Sequence, residues 1–284
     1  MRRHFLAFAS SDLQRTLLRI EGQARDMGCY HEIHINNEFN LTAVFRNKFE
    51  SKLKKGSRGF GHWCWKPQII LQLLHEVGDG DIIQYVDAGC HLNTSGLPRL
   101  LEYFEIARTA KNGILAFQAK PPDANLIDEG RNFESLPDYQ WAKGDLIDYF
   151  GFRQNREVLE SPTIGATVLF IMKCPEAIKI IEEWLAIIES DFSLIDDGPS
   201  ASPNIQGFRE HRHDQAIFSL LCKKHTVTLL SAYEYWYPSE NKSQPDWQAL
   251  KNYPVHARRD KDFEGSKKNN SLLKRFFPAW RKEN

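Results

Sequence analysis

Apolar positions recur along the chain in two rhythms that take turns, continuous or alternating runs of five to ten residues and a helical spacing of three to four. Residues 4–9 read as a strand, Ser10, Ser11 and Asp12 then offer helix N-caps, and Leu13, Leu17, Leu18 and Ile20 supply the apolar positions of a helix. Gly28 precedes a second strand at 30–35. Strand, helix, strand is the opening of a parallel sheet, because parallel neighbours need a crossover between them. The alternation continues with a helix over 67–77, Pro67 in its first turn, and a strand over 81–86. Helix 97–110, strand 114–118, short helix 143–150, strand 163–172, helices 175–190 and 213–223, and strand 227–230 complete the pattern. The expected fold class is α/β, with a mainly parallel central sheet flanked by helices.

Two connections exceed what simple linkage needs. Residues 121–140 and 191–210 are rich in Pro, Asp, Asn, Ser and Gly, and loops of that length in a compact domain are expected to wall or cover a cleft. No internal repeat is present. At 284 residues the chain can bury a full core, and its 37 Lys plus Arg balance 37 Asp plus Glu, so overall charge predicts neither a nucleic-acid nor a membrane partner. No apolar run nears the roughly 20 residues that span a bilayer, and MRRHFLAFASSD has too short an apolar core for a signal peptide. Cys29, Cys64, Cys90, Cys174 and Cys222 are odd in number and contain no CxxC pair, which fits reduced thiols in a cytoplasm. Composition shifts only after about residue 257. Between 258 and 282 nine Lys and Arg face three acids, with Leu272, Leu273, Phe276, Phe277 and Trp280 among them. The reading is a domain over 1–256 and a basic amphipathic tail over 257–284, either a peripheral anchor for an anionic membrane surface, a terminal helix docked on the body, or a frayed tail.

Candidate chemistry falls in three clusters. In DIIQYVDAGCHLN the apolar strand ends at Asp87, where open α/β sheets take their ligands, and Ala88 and Gly89 leave room beside it. That acid either caps the turn before Gly89 or, free of other side chains, holds a divalent metal through oxygen. Earlier in the chain, RGFGHWCWKP combines Gly59 and Gly61 with Arg58, Lys66 and two tryptophans ahead of a helix. The glycines permit close backbone approach, and the two cations suit a diphosphate. The alternative is a structural turn with Trp63 or Trp65 in the core. No GxxxxGK[ST] occurs, so nucleotide hydrolysis is not indicated. The third cluster, EHRHDQ, opens a helix, and Asp214 at its start is kept ionised by the helix dipole unless it serves merely as a cap. Gly165 and Ala166 begin an apolar strand and leave space either for an acceptor or for close packing.

Taken in order, RGFGHWCWKP, DIIQYVDAGCHLN, the GATVLF strand and EHRHDQAIFSLL resemble motifs of bacterial glycosyltransferase-like proteins of polysaccharide and lipopolysaccharide synthesis, and more distantly the nucleotide-sugar glycosyltransferases of the GT-A type. The resemblance covers most of residues 4–256 and implies a GT-A-like, Rossmann-like domain. It implies a nucleotide-diphosphate sugar donor, a glycan or glycolipid acceptor such as lipopolysaccharide, capsule or O-antigen, and a manganese or magnesium ion. Ala9 and Ser10 match the nucleoside contact, and Asp87-Ala88-Gly89 matches a DxD motif of which it keeps one acid, with His91 or Asn93 assisting. His256 matches the late histidine that completes the metal shell, and His213, Asp214 and Gln215 match the acidic motif beside donor sugar and acceptor. Charge development in glycosyl transfer then asks for cations on the leaving diphosphate, from Arg58, Lys66 and Lys143, and a carboxylate at the sugar. Asp214 fills that place by deprotonating the acceptor with inversion or by orienting both substrates with retention. Two other classes fit the same residues: a metal-dependent hydrolase, and a glycan- or nucleotide-sugar-binding protein on a catalytically weak transferase fold.

Overall fold

The computed structural model describes residues 1–120, 136–237 and 246–262. Most of the expected loop 121–140 and the tail from 263, including 271–284, lie outside the described residues. In chain order the regular elements are β1 (Arg3–Phe8), α1 (Gln14–Asp26), β2 (Glu32–Asn36), α2 (Ala43–Lys48), α3 (Gly59–His62), α4 (Trp65–Glu76), β3 (Ile82–Val86), β4 (His91–Leu92) and α5 (Leu97–Thr109). There follow β5 (Ile114–Gln118), α6 (Gly144–Tyr149), α7 (Arg156–Glu160), β6 (Ile164–Met172), α8 (Pro175–Ser190), α9 (His213–His225), β7 (Thr228–Ser231) and β8 (Val255–His256). The short helices α2 and α7 and the small β4–β8 pair had no periodic signal, since each is too short to show a repeat.

Among the described residues six strands form one sheet in the order β2-β1-β3-β6-β5-β7, and β4 pairs with β8 apart from it. β1 runs parallel to β2 and β3, and β5 runs parallel to β7, while β6 lies antiparallel to both β3 and β5. Five strands therefore point one way and β6 is reversed. That reversal brings the start of β6, Gly165 and Ala166, to the edge where β3 ends. The Asp87 amide donates to Thr167 O there at 2.9 Å.

Alternation along the strands sorts side chains between two layers of helices, as a period of two requires. Leu6, Phe8, Ile83, Tyr85, Leu169 and Ile171 pack with α4, α8 and α9 through Ile70, Leu74, Ile181, Trp184, Phe218 and Leu221. Phe5, Ala7, Ile82, Val86, Val168 and Phe170 face α1 and α5 through Ile20, Ala24, Leu100, Tyr103 and Phe104. Every residue of β3 is buried, as expected of a central strand covered on both faces. The five cysteines are free thiols. No helix among the described residues is long and apolar enough to cross a membrane. The described part of the expected tail, 257–262, is bonded to the body at three of its amides: Ala257 N–H to Tyr235 O, Asp260 N–H to Gly89 O and Asp262 N–H to Thr16 Oγ1.

Candidate active site

Four elements meet at the edge where β3 ends. The chain enters it through α3 and Trp63, which form a left-handed turn and not a right-handed helix, with five consecutive residues at positive φ: Gly59 at 58°, Phe60 at 52°, Gly61 at 88°, His62 at 55° and Trp63 at 60°. Three of the five are not glycine, and each such residue costs roughly 1–2 kcal/mol in the left-handed region. At Gly59 a Cβ would lie 2.4 Å from the Trp63 indole, so no side chain fits. Trp65 Nε1 donates to Gly59 O at 3.1 Å and its ring stacks 3.9 Å from Phe8, which fixes the start of α4 against β1. Strain of this kind, held in place by packing, is characteristic of binding sites.

That start delivers Lys66. Its side chain is 3% exposed, with Nζ 2.8 Å from Asp214 Oδ2 and 3.1 Å from Asp87 Oδ1, and it donates to Ala166 O at 3.0 Å. An ammonium has three protons, and these three partners come from α9, the end of β3 and the start of β6. The Tyr85 ring lies 5.3 Å from Nζ, and its hydroxyl donates to Asp87 Oδ1 at 2.7 Å. Burial works against the charge on Lys66, but the two carboxylates outweigh it and hold its pKa above the usual value. Burial pushes Asp214 up to about 6 even though Lys66 pulls the other way. The expectation that Asp87 meets no other side chain is thus corrected, and so is the expectation that Lys66 is free for a diphosphate. Both are engaged with each other.

A second group stands beside this one. The His62 and His213 rings stack at 5.0 Å and 8°, both on residues at positive φ. His213 Nε2 donates to Asp197 Oδ1 at 2.9 Å, His62 Nδ1 lies 3.7 Å from Asp197 Oδ2, and Arg58 Nη1 lies 3.1 Å from Oδ1. Burial pushes His213 down to about 4, with the Arg58 charge adding to it, so the ring is neutral at pH 7. Lys143, buried, donates to Asp196 O, Asp196 Oδ1 and Gly198 O at 3.1, 3.2 and 3.4 Å. It holds the loop that presents Asp197, and in this arrangement it is committed there instead of to a donor.

The remaining expected residues divide by position. Ala9 and Ala88 touch in one small apolar cluster with Leu17, so the end of β1 lies beside the Asp87 turn, and Ser10 bonds Asp12. Gly89 lies under the chain at Arg259, where a Cβ would come within 3.4 Å of its Cα. Gln215 donates to Thr163 Oγ1 at 3.4 Å. The space left by Gly165 is taken by Tyr235, whose hydroxyl would be 2.3 Å from a Cβ, so close packing holds where acceptor room was expected. Ala166 contributes its carbonyl to Lys66.

His256 is not with Asp87. It pairs with His91 across the β4–β8 ladder, donates from Nε2 to Leu250 O at 3.0 Å and stacks 5.6 Å from Trp247. Neither of the groups of three close metal-ligand atoms among the described residues contains Asp87 or His256. Asp87 Oδ1 is already shared by an ammonium and a phenol, and His256 stands elsewhere, so the two residues expected to share a manganese or magnesium ion do not converge on one. His62, Asp197 and His213 do bring ligand atoms within 4.8 Å of one another, but Arg58 lies against the same carboxylate oxygen, and a cation there would have to displace a guanidinium.

Reading the sequence missed His62, Asp197 and Tyr85 as members of this site, and also Arg259 and Lys261. The last two arrive on the segment after β8; Lys261 interacts electrostatically with Asp87, and Arg259 with Cys90 and Arg212. The one local sign of Asp197 was the acidic pair before Gly198-Pro199 in a loop too long for a connector.

No protein-family model matches the chain, and no curated protein matches it. Among solved structures the chain is similar along most of its length to several glycosyltransferases. One is a glycosyltransferase involved in glycosylation of the major capsid of PBCV-1, at 11% identity over 90% of this chain and 94% of that one, with a TM-score of 0.47. Another is mouse xyloside xylosyltransferase 1 in its apo form, at 11% identity, 83% and 87% coverage and a TM-score of 0.43. A third is the galactosyltransferase LgtC in complex with donor and acceptor sugar analogs, at 13% identity, 89% and 86% coverage and a TM-score of 0.41.

Proposed function

We propose that the chain transfers a sugar from a nucleotide-diphosphate donor to a glycan acceptor. The observation that carries the reading is the Lys66 ammonium, within 3.1 Å of Asp87 and of Asp214, which ties all three chemical clusters into one place at the carboxyl edge of the sheet. Ligands of open α/β sheets bind at that edge. Asp214 is the carboxylate assigned to the sugar end, where positive character develops at the anomeric carbon as the bond to phosphate breaks. With a pKa of about 6 it is ionised at neutral pH yet close enough to that range to accept a proton from an acceptor hydroxyl. Lys66 positions Asp87 and Asp214 relative to each other. The negative charge that builds on the leaving diphosphate is met by Arg58, held by Asp197, and by the cations of the segment 258–261. Sequence resemblance extends the proposal to a surface-glycan acceptor and to a peripheral position at the inner face of a membrane, with the basic tail as the attachment.

The test is a panel of nucleotide sugars incubated with the purified chain, with and without manganese, read by calorimetry and by release of nucleoside diphosphate. One donor is expected to bind and to be slowly hydrolysed, with Asp214→Asn keeping donor binding and losing turnover. If no nucleotide sugar binds or turns over in either condition, the proposal fails. Tight binding with no turnover in the presence of glycan acceptors would make the chain a binding protein instead.

A further inference from the structure

At the opposite end of the sheet, β1 and β2 place His4, Glu32 and His34 together. The strands pair in parallel with His4 opposite Glu32 and Leu6 opposite His34, and residues two apart on a strand share a face. His4 is buried, and His34 and Glu32 are partly exposed on the sheet's edge strand. His4 Nδ1 lies 3.3 Å from His34 Nε2 and 3.7 Å from Glu32 Oε2, and His34 Nε2 lies 3.4 Å from the same oxygen. Ligand atoms at 2.0–2.1 Å around a tetrahedral zinc ion stand about 3.3–3.4 Å apart, so this triangle has the size of one face of a zinc shell.

Outer contacts are arranged as a metal site needs them. The second nitrogen of His4, Nε2, faces Asp81 Oδ2 at 3.5 Å, a carboxylate–histidine arrangement that would orient the ring with Nδ1 toward the ion. Asp81 is itself fixed by the Arg2 and Gly78 amides, which donate to it at 2.6 and 3.1 Å. The Arg2 guanidinium takes Glu32 Oε1 at 2.9 Å and leaves Oε2 to the histidines. These residues, with Leu73, Glu76 and Val77 from the end of α4, line a cavity of about 110 Å³, which is ample for an ion and its water.

We propose that His4, His34 and Glu32 bind a divalent transition metal of the zinc class, with the fourth position open to water. His4, near the start of β1, and Ala9, just past its end, are five residues apart, roughly 16 Å at 3.3 Å per residue, so this site is separate from the edge where Asp87 and Asp214 meet. It joins β1 to the edge strand β2, and its occupancy would stabilise the folded chain by mass action. The proposal is independent of the transferase reading.

The full chain, stripped of metal with a chelator, is titrated with zinc by competition against a zinc-sensitive dye and with cobalt by visible absorption. One equivalent is expected, with the intense visible bands of four-coordinate cobalt. Affinity should fall about 10-fold or more in His34→Gln and in Glu32→Gln, both partly exposed positions that leave the core intact, and about 10–100-fold in Asp81→Asn, which removes the carboxylate behind the His4 ring. Zinc should raise the melting temperature of the parent and leave that of His34→Gln unchanged. No uptake at a tenfold excess of zinc would overturn the proposal, and so would uptake that survives both His34→Gln and Glu32→Gln but is lost in His62→Ala.

Discussion

Replacing Lys66 by Met keeps the unbranched stem, one atom shorter, and removes the charge that three segments share. At an effective dielectric of about 20, attraction over 2.8 and 3.1 Å amounts to about 6 and 5 kcal/mol, most of it cancelled by the desolvation of the charges. The variant reads a different quantity, the cost of leaving a carboxylate buried without its partner, about 3–5 kcal/mol. Asp87, 31% exposed, rehydrates, whereas Asp214, 6% exposed, does not. Asp214 limits the loss by taking up a proton, since the ammonium that holds its pKa down to about 6 is gone. A loss of about 3 kcal/mol at pH 7.5 follows, a large part of a typical total of 5–15 kcal/mol. Urea unfolding followed by the fluorescence of the seven tryptophans measures it. Two further results are expected: the deficit shrinks at pH 5, where Asp214 is already largely protonated, and Lys66→Met/Asp214→Asn recovers more than about 1 kcal/mol of it. A single variant within about 0.5 kcal/mol of the parent at pH 7.5 would refute the pairing and, with it, the convergence on which the site rests.

If ionised Asp214 is needed for transfer, kcat/KM should rise with pH through about 6, and a profile flat from pH 5 to 8 would remove it from the mechanism. Burial pushes His211 down to about 3 and His213 to about 4, so the folded chain resists protons that the unfolded chain accepts near 6.5. Their contribution is fully present above pH 6.5 and is lost as pH falls toward 4 for His213, on the order of 3 kcal/mol, and toward 3 for His211; urea midpoints between pH 7 and 4.5 should decline less in His211→Gln, and an identical decline would contradict the burial argument. Gly165→Ala should cost about 1–3 kcal/mol because its methyl meets the Tyr235 hydroxyl, and Tyr235→Phe in the same chain should recover part of that. Equal midpoints for Gly165→Ala and the parent would mean that the space is open to a ligand after all.

Much of the fold was legible from spacing. The bounds of β5 and α8 agree with those read from the apolar pattern, and β1, β3, β6 and α9 differ by a residue or two, because burial on a sheet or along a helix imposes its period on the residues themselves. The reversal of β6 was not legible, since an alternating run looks the same in either direction. Asp87 and Asp214 were singled out by their places at a strand end and a helix start, where a charged residue after an apolar run is conspicuous. Tyr85 was hidden by being apolar in most of its surface, and His62 by lying in a turn whose left-handed backbone has only two glycines to announce it. His256 was misassigned because its order in the chain gave no indication that β8 would carry it to His91 and Trp247.

By itself the sequence determined the succession of strands and helices, the faces they bury and the three stretches in which polar groups interrupt apolar ones, since each of these is set by neighbours a few residues apart. Only the tertiary structure decided that Lys66 lies between Asp87 and Asp214, that Asp197 serves His62, His213 and Arg58, and that His4 meets Glu32 and His34. Such pairings join residues from 16 to 148 positions apart, and a charge buried among distant partners is stable only in the one packing that brings all of them to it.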